Sequence, residues 1–254
     1  MGESTVNREV VAAADGRGVR LEVHEITMRP FRQAAASTLR AVRQVRLALN
    51  QGSALLEAGA LQWARGQLQY EVQKAEGAGG FLKRQITSAG TGESAFATRY
   101  TGIGEVWTEP SDDHYLVERM SADDGPLILD DKAFYACEGS IALGIHANKN
   151  ISRAMSGSGL LQPKLVGEGV FVVESPVPAE DVQVVVLDGR EELVVDGDLM
   201  LMYSASLTLE LRPLVPGLLA SARSGEGLVF RFTGVGRVWL TPTAPVRRGI
   251  ATAL

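Results

Sequence analysis

The run Tyr100-Thr101-Gly102-Ile103-Gly104-Glu105-Val106-Trp107-Thr108-Glu109-Pro110 returns without a gap as Phe232-Thr233-Gly234-Val235-Gly236-Arg237-Val238-Trp239-Leu240-Thr241-Pro242. An aromatic ring opens each copy, and Thr, both glycines, Val, Trp and Pro are shared. A pattern this dense at an offset of 132 residues marks a tandem repeat, so the chain is expected to build one local structure more than once. Each Gly-x-Gly leads into Val-Trp, a β-prone pair, which predicts a sharp bend feeding a strand.

The pattern extends upstream as Gly92-Glu93-Ser94-Ala95-Phe96 and Gly225-Glu226-Gly227-Leu228-Val229-Phe230. Between them, Gly167-Glu168-Gly169-Val170-Phe171-Val172-Val173 reads as a third occurrence of this upstream half. Apolar segments precede the three copies at Ser53 to Val72, Gly125 to Ala147 and Glu191 to Leu211. The chain has 28 glycines in 254 residues, above the usual share of about 7%, and their scatter fits many turns between short strands. The expectation is an all-β protein of three consecutive units: a flexible N-terminus at 1–18, units at 19–110, 111–178 and 179–243, and a C-terminal tail at 244–254.

Val19 to Ile26 alternates apolar and polar residues, which predicts a strand with one buried face. Residues 33–49 stay ambiguous: Leu39, Val42, Val45 and Leu49 sit at helical spacing, whereas the repeat favours a strand over Val45 to Leu49. Asp188-Gly189 after Val182 to Leu187 reads as a hairpin turn, Leu193 to Met202 repeats the device around Asp196-Gly197, and Leu207 to Leu211 alternates cleanly.

A single cysteine, Cys137, excludes a disulfide framework and a Cys-rich zinc site, and suits a reducing, cytoplasmic location. No stretch of 18 or more apolar residues is present. The net charge of −5 argues against general nucleic-acid binding. Charge is uneven, because residues 17–46 hold seven arginines against two glutamates. Arg40, Arg43 and Arg46 are therefore a candidate anion patch, lining one stripe if helical and alternating faces if extended.

The segments Gly52 to Leu61, Gly92 to Pro110, Gly157 to Phe171 and Gly225 to Pro242 resemble the AIM24 family, formerly of unknown function and found in bacteria and mitochondria. The resemblance implies three tandem units similar to the tryptophan RNA-binding attenuation protein (TRAP-like), each a small double-stranded β-helix or β-sandwich, with chains assembling as a trimeric ring. It brings no catalytic residues and no cofactor. Residues 1–44 are longer and more basic than the family pattern.

Other chemistry is weakly represented. His24, His114 and His146 lack metal-ligand spacing, Cys137 lies in an apolar strand, and Ser158 lacks the Gly-x-Ser-x-Gly elbow. Paired acids at Asp112-Asp113, Asp123-Asp124 and Asp130-Asp131 fall in expected turns. Gly102, Gly104, Trp107, Gly234, Gly236 and Trp239 are the expected structural or interface residues, with Val106 and Val238 packed beside the rings. The functional expectation is a non-enzymatic, homotrimeric scaffold or interaction platform with a protein partner. The alternative is a small-ligand- or nucleic-acid-binding module using clefts between units; a peripheral membrane contact has no support in the sequence.

Overall fold

The computed structural model describes residues 7–28, 40–74, 95–148, 160–195, 199–213, 228–244 and 246. Its named elements are strands apart from two 3-10 turns, Ala122–Asp124 and Ala179–Asp181. A hairpin of β1 (Asn7–Asp15) and β2 (Val19–Met28) leads into three long elements: β3 (Arg40–Glu57), β4 (Leu61–Lys74) and β5 (Ala95–Thr108). Shorter strands follow: β6 (His114–Met120), β7 (Leu127–Leu129), β8 (Phe134–Glu138), β9 (Ala142–Asn148), β10 (Leu160–Val166) and β11 (Gly169–Ser175). The last six are β12 (Gln183–Asp188), β13 (Leu193–Val195), β14 (Met200–Ser204), β15 (Thr208–Pro213), β16 (Leu228–Thr233) and β17 (Val235–Leu240).

One sheet runs β1-β2-β3-β8-β11-β6, with β5 and then β4 branching from β3; a second runs β12-β17-β14-β7-β10-β9, and a third is β13-β16-β15. All pairings are antiparallel. Three apolar cores separate the layers. The first holds Val19, Leu21, Val23, Val45, Leu47 and Val106 against Tyr115, Tyr135, Ala136, Val170 and Val172. The second holds Phe134, Cys137, Phe171 and Val173 against Leu127, Leu129, Leu165, Met202 and Trp239. Ile128, Tyr203 and Val238 meet Val195, Leu209 and Phe232 in the third.

Strands β8 and β11 thus serve two cores at once. Side chains alternate across a strand, so Val170 and Val172 split from Phe171 and Val173; in β8 a bulge at Tyr135 shifts the alternation, so Tyr135 and Ala136 face the first core while Phe134 and Cys137 face the second. Burial on both faces explains why these strands read as unbroken apolar runs rather than as alternation.

One pairing scheme recurs. β5 lies between β3 and β4 along its whole length. Later the same roles are split into half-strands: β10 pairs β7 and β9, and β11 pairs β6 and β8; β16 pairs β13 and β15, and β17 pairs β12 and β14. A one-residue bulge recurs with it, at Gln62 opposite Trp107, at Tyr135 opposite Val172 and at Leu201 opposite Trp239. The Gly-x-Gly pairs mark the bend between halves. Gly167 stands between β10 and β11 and Gly169 opens β11, as Gly234 stands between β16 and β17 and Gly236 lies at the start of β17, so this third occurrence answers to the Gly-x-Gly itself, not to the upstream Gly-Glu-Gly.

The bend needs glycine because two backbones touch there. A Cβ on Gly102 (φ +135°) would lie 2.1 Å from the Gln67 carbonyl oxygen, and one on Gly66 (φ +123°) 2.3 Å from that of Ile103. Neither the contact nor the dihedral tolerates another L-residue.

Two expectations require correction, and the ambiguity at 33–49 resolves toward the strand that the repeat favours. The flexible terminus at 1–18 contains β1, which pairs β2 from Asn7 to Asp15 and packs Ala12 and Ala14 on the first core; alanines carry too little apolar contrast for this to register as a pattern. The ambiguous stretch is strand from Arg40 onward, while 33–39 lie outside the described residues. The hairpins read at Asp188-Gly189 and across Leu193 to Met202 are not formed, since β13 belongs to a different sheet from β12 and β14. The main sheet joins strands from both sides of residue 110, because β6, β8 and β11 share it with β3.

A candidate assembly face around Trp107

On β5, side chains alternate between the first core, which takes Val106, and the outer face, which receives Glu105 and Trp107. Cross-strand register then fixes the neighbours: Glu22 stands opposite Arg46, Arg46 opposite Trp107, and Trp107 opposite Trp63. This row of four crosses β2, β3, β5 and β4.

Trp107 is 6% exposed although it lies on an outer face. The Trp63 ring stacks on it at 5.5 Å, the His24 ring tilts against it at 4.7 Å, and the Arg8 guanidinium covers it at 4.7 Å. Its indole N–H donates to Glu105 Oε2 at 3.0 Å. Arg46 bridges Glu22 and Glu105, at 2.9 and 2.8 Å, with its own guanidinium 5.6 Å from the Trp107 ring. Arg20 and His24 complete the shell of Glu22, and Arg65 pairs Glu105 from the open side.

Electrostatics follow from these contacts. Burial pushes the Glu22 carboxyl up, but hydrogen bonds from Arg20, Arg46 and His24 outweigh it and hold the group at about 2. Glu105 behaves alike: burial raises it, and the Trp107 and Arg46 hydrogen bonds bring it below the usual carboxylate range. The face is consequently a closed set of satisfied charges around stacked rings. It holds no nucleophile or free acid for chemistry; it can present Trp63, which remains 39% exposed, and Arg65 to another surface.

The other anticipated residues distribute as follows. Trp239 is 7% exposed inside the second core, with Arg237 at 5.0 Å over its ring; Val106 and Val238 are fully buried. Arg43 and Arg46 do not form a patch. They lie on opposite faces of β3, Arg43 bound to Glu25 at 2.8 Å and Arg46 to its two glutamates; the side chain of Arg40 lies outside the described residues. His24, His114 and His146 stand on β2, β6 and β9, and among the described residues no group of three or more His, Cys, Asp or Glu could hold a metal ion. Burial pushes the Cys137 thiol up to about 12, and Ser158 lies outside the described residues.

Sequence reasoning missed two features. One is a seam of acids and tyrosines: Glu57 at the end of β3 and Glu174 on β11 are each raised to about 7, first by burial and then by a neighbouring carboxylate, Glu174 for Glu57 and Asp113 for Glu174. Tyr115 and Tyr135, with ring centroids 4.5 Å apart, border them. No spacing in the sequence signals this, because the partners come from separate strands. The second feature is two clefts. One of about 230 Å³ is lined by Asp113, Asp130, Lys132, Glu174 and Met200. The other, about 400 Å³, is lined by Asp15, Arg17, Arg119, Glu138 and Glu168, where Arg17 binds Glu168 and Arg119 binds the Asp15 carbonyl.

No described helix is long and apolar enough to cross a membrane. Comparison with curated proteins returns no match. Among solved structures, the chain is similar to the crystal structure of protein SPYM3_0169 from Streptococcus pyogenes, with a TM-score of 0.56 and 21% identity over 86% of this chain and 93% of that one. That likeness speaks for a shared fold. The family profile described as mitochondrial biogenesis AIM24 matches residues 37–243. The β1–β2 hairpin, source of Arg8, Glu22 and His24, precedes this stretch. On that match over most of its length, the chain belongs to the AIM24 family.

Proposed function

We propose that the protein is a non-enzymatic scaffold of three tandem TRAP-like units, 19–110, 111–178 and 179–243, that assembles with copies of itself as a trimeric ring and works in the cytoplasm as an interaction platform. The observation that carries this is β4. It is 14 residues long, pairs only β5 among the described residues, and is exposed along most of its length. Leu61, Trp63, Tyr70 and Val72 are all exposed on it. A long edge strand with apolar side chains and an open hydrogen-bonding row invites another strand, and proteins that remain monomeric blunt such edges. Covering it in a closed cyclic assembly removes the edge.

The recurrent pairing scheme supports three equivalent units, and the neutralised charges around Trp107 favour a contact surface over a reactive site. The clefts weigh less for a ligand-binding role: one is acidic, which disfavours nucleic acid, and the arginines of the other are engaged. Native mass spectrometry of the purified full chain tests the proposal. A mass of three chains is the expected result; a single-chain mass at micromolar concentration overturns it.

A further inference from the structure

Two internal seams hold successive parts of the chain together, and they share one geometry. At the first, Ala54, Leu55 and Leu56 of β3 pair antiparallel with Glu138, Cys137 and Ala136 of β8. At the second, Leu127, Ile128 and Leu129 of β7 pair antiparallel with Ser204, Tyr203 and Met202 of β14. In each case one strand is the neighbour of the segment before the Gly-x-Gly bend, as β3 is of the first half of β5 and β7 is of β10. The other is the bulged neighbour of the segment after the bend, as β8 is of β11 and β14 is of β17.

Applied once more, the rule finds two strands with no partner. β13 is the neighbour of β16 before the last bend, so it matches β3 and β7; β4 is the bulged neighbour of β5 after the first bend, so it matches β8 and β14. Among the described residues, β13 pairs only β16 and β4 pairs only β5. Burial agrees. The middle residues of the first strands, Leu55 and Ile128, are 1% exposed, but their counterpart Val194 is 41% exposed. Ala136 and Met202 are fully buried, whereas their counterpart Trp63 is open to solvent.

Resting on the scaffold reading, we infer that β13 of one copy adds antiparallel to the free edge of β4 of the next, with Leu193 opposite Arg65, Val194 opposite Ala64 and Val195 opposite Trp63. The partner is a second copy of this chain, because the two open strands close the two ends of a series whose interior joints are already made by the same rule. The contact is head to tail, so it propagates until rotation closes it. It lays the β13 end of one copy over the Trp63–Trp107 face of its neighbour, where β8 and β11 or β14 and β17 stand at the internal seams.

The test is a full-length chain carrying Ala64→Cys and Val194→Cys. Directly opposed residues of an antiparallel pair have Cα atoms about 4.5 to 5.5 Å apart, within disulfide range. Native Cys137 is buried and does not compete. Mild oxidation is expected to give covalently linked multimers on a non-reducing gel, with neither single variant doing so. A native multimer that fails to cross-link refutes this seam while leaving the assembly reading intact; a native monomer refutes the assembly reading itself. Val194→Lys provides a control against misfolding, because that side chain is exposed in the single chain: unchanged circular dichroism with a drop to single-chain mass supports the seam, and an unchanged multimer overturns it.

Discussion

Replacing Glu22 with glutamine removes a charge from the centre of the Trp107 face while keeping its shape. The carboxylate accepts from Arg20 at 2.8 Å, Arg46 at 2.9 Å and His24 at 3.0 Å, and its folded value is about 2 against an ordinary 4.5. A gap of this size corresponds to about 3 kcal/mol, at 1.36 kcal/mol per unit. Because the folded value is depressed, the contribution is present above the unfolded value of 4.5 and is lost as pH falls toward 2. E22Q lacks it at every pH. Urea unfolding of both proteins is therefore expected to differ by about 3 kcal/mol at pH 6 and by about half that at pH 3. Comparing the pair cancels the titration of every other carboxyl. A difference equal at both pH values would show that Glu22 acts through packing alone and would refute the argument.

Trp239→Ala empties a ring from the second core and is expected to cost about 3 kcal/mol or more in urea unfolding; a loss within about 0.5 kcal/mol would mark a surface ring. Glu174 has a raised folded value, so its contribution is intact below 4.5 and lost as pH rises through about 7; Glu174→Gln is expected to exceed the native protein by about 3 kcal/mol at pH 8 and to match it at pH 4, and equal stability at pH 8 would contradict this. Gly66→Ala sets a methyl group against Ile103 and is expected to cost about 2 kcal/mol or more, with an unchanged unfolding midpoint the opposing result.

How far the sequence reveals this molecule follows from what repeats in it. The all-β class, the bend at Gly102 and Gly234, and the burial of Val106, Val238 and both tryptophans are legible because the motif writes them twice. The middle occurrence is misaligned by sequence because its strands face two cores, so Phe171 to Val173 lose the alternation and the tryptophan that mark the other copies. The Asp-Gly hairpins fail for a different reason: turn residues report that the chain bends, not which strand it meets afterwards, and β12 and β13 find partners 35 to 57 positions downstream. The arginine series illustrates the same limit, since a strand sends Arg43 and Arg46 to opposite faces and their carboxylate partners come from β2 and β5. The Trp107 face was only half visible, through the ring itself; His24, Glu22 and Trp63 reach it by register alone.

The middle layer has no solvent side, and this bears on cooperativity. A segment whose two faces each complete a different core cannot separate from one neighbour without uncovering the other. Residues 111–178 are thus not expected to survive as an autonomous fragment, nor to melt in a step of their own; loss of β8 and β11 uncovers the first and second cores together. The chain accordingly behaves toward denaturant as one body, with a slope that reports the surface of the whole molecule and not of one part of it.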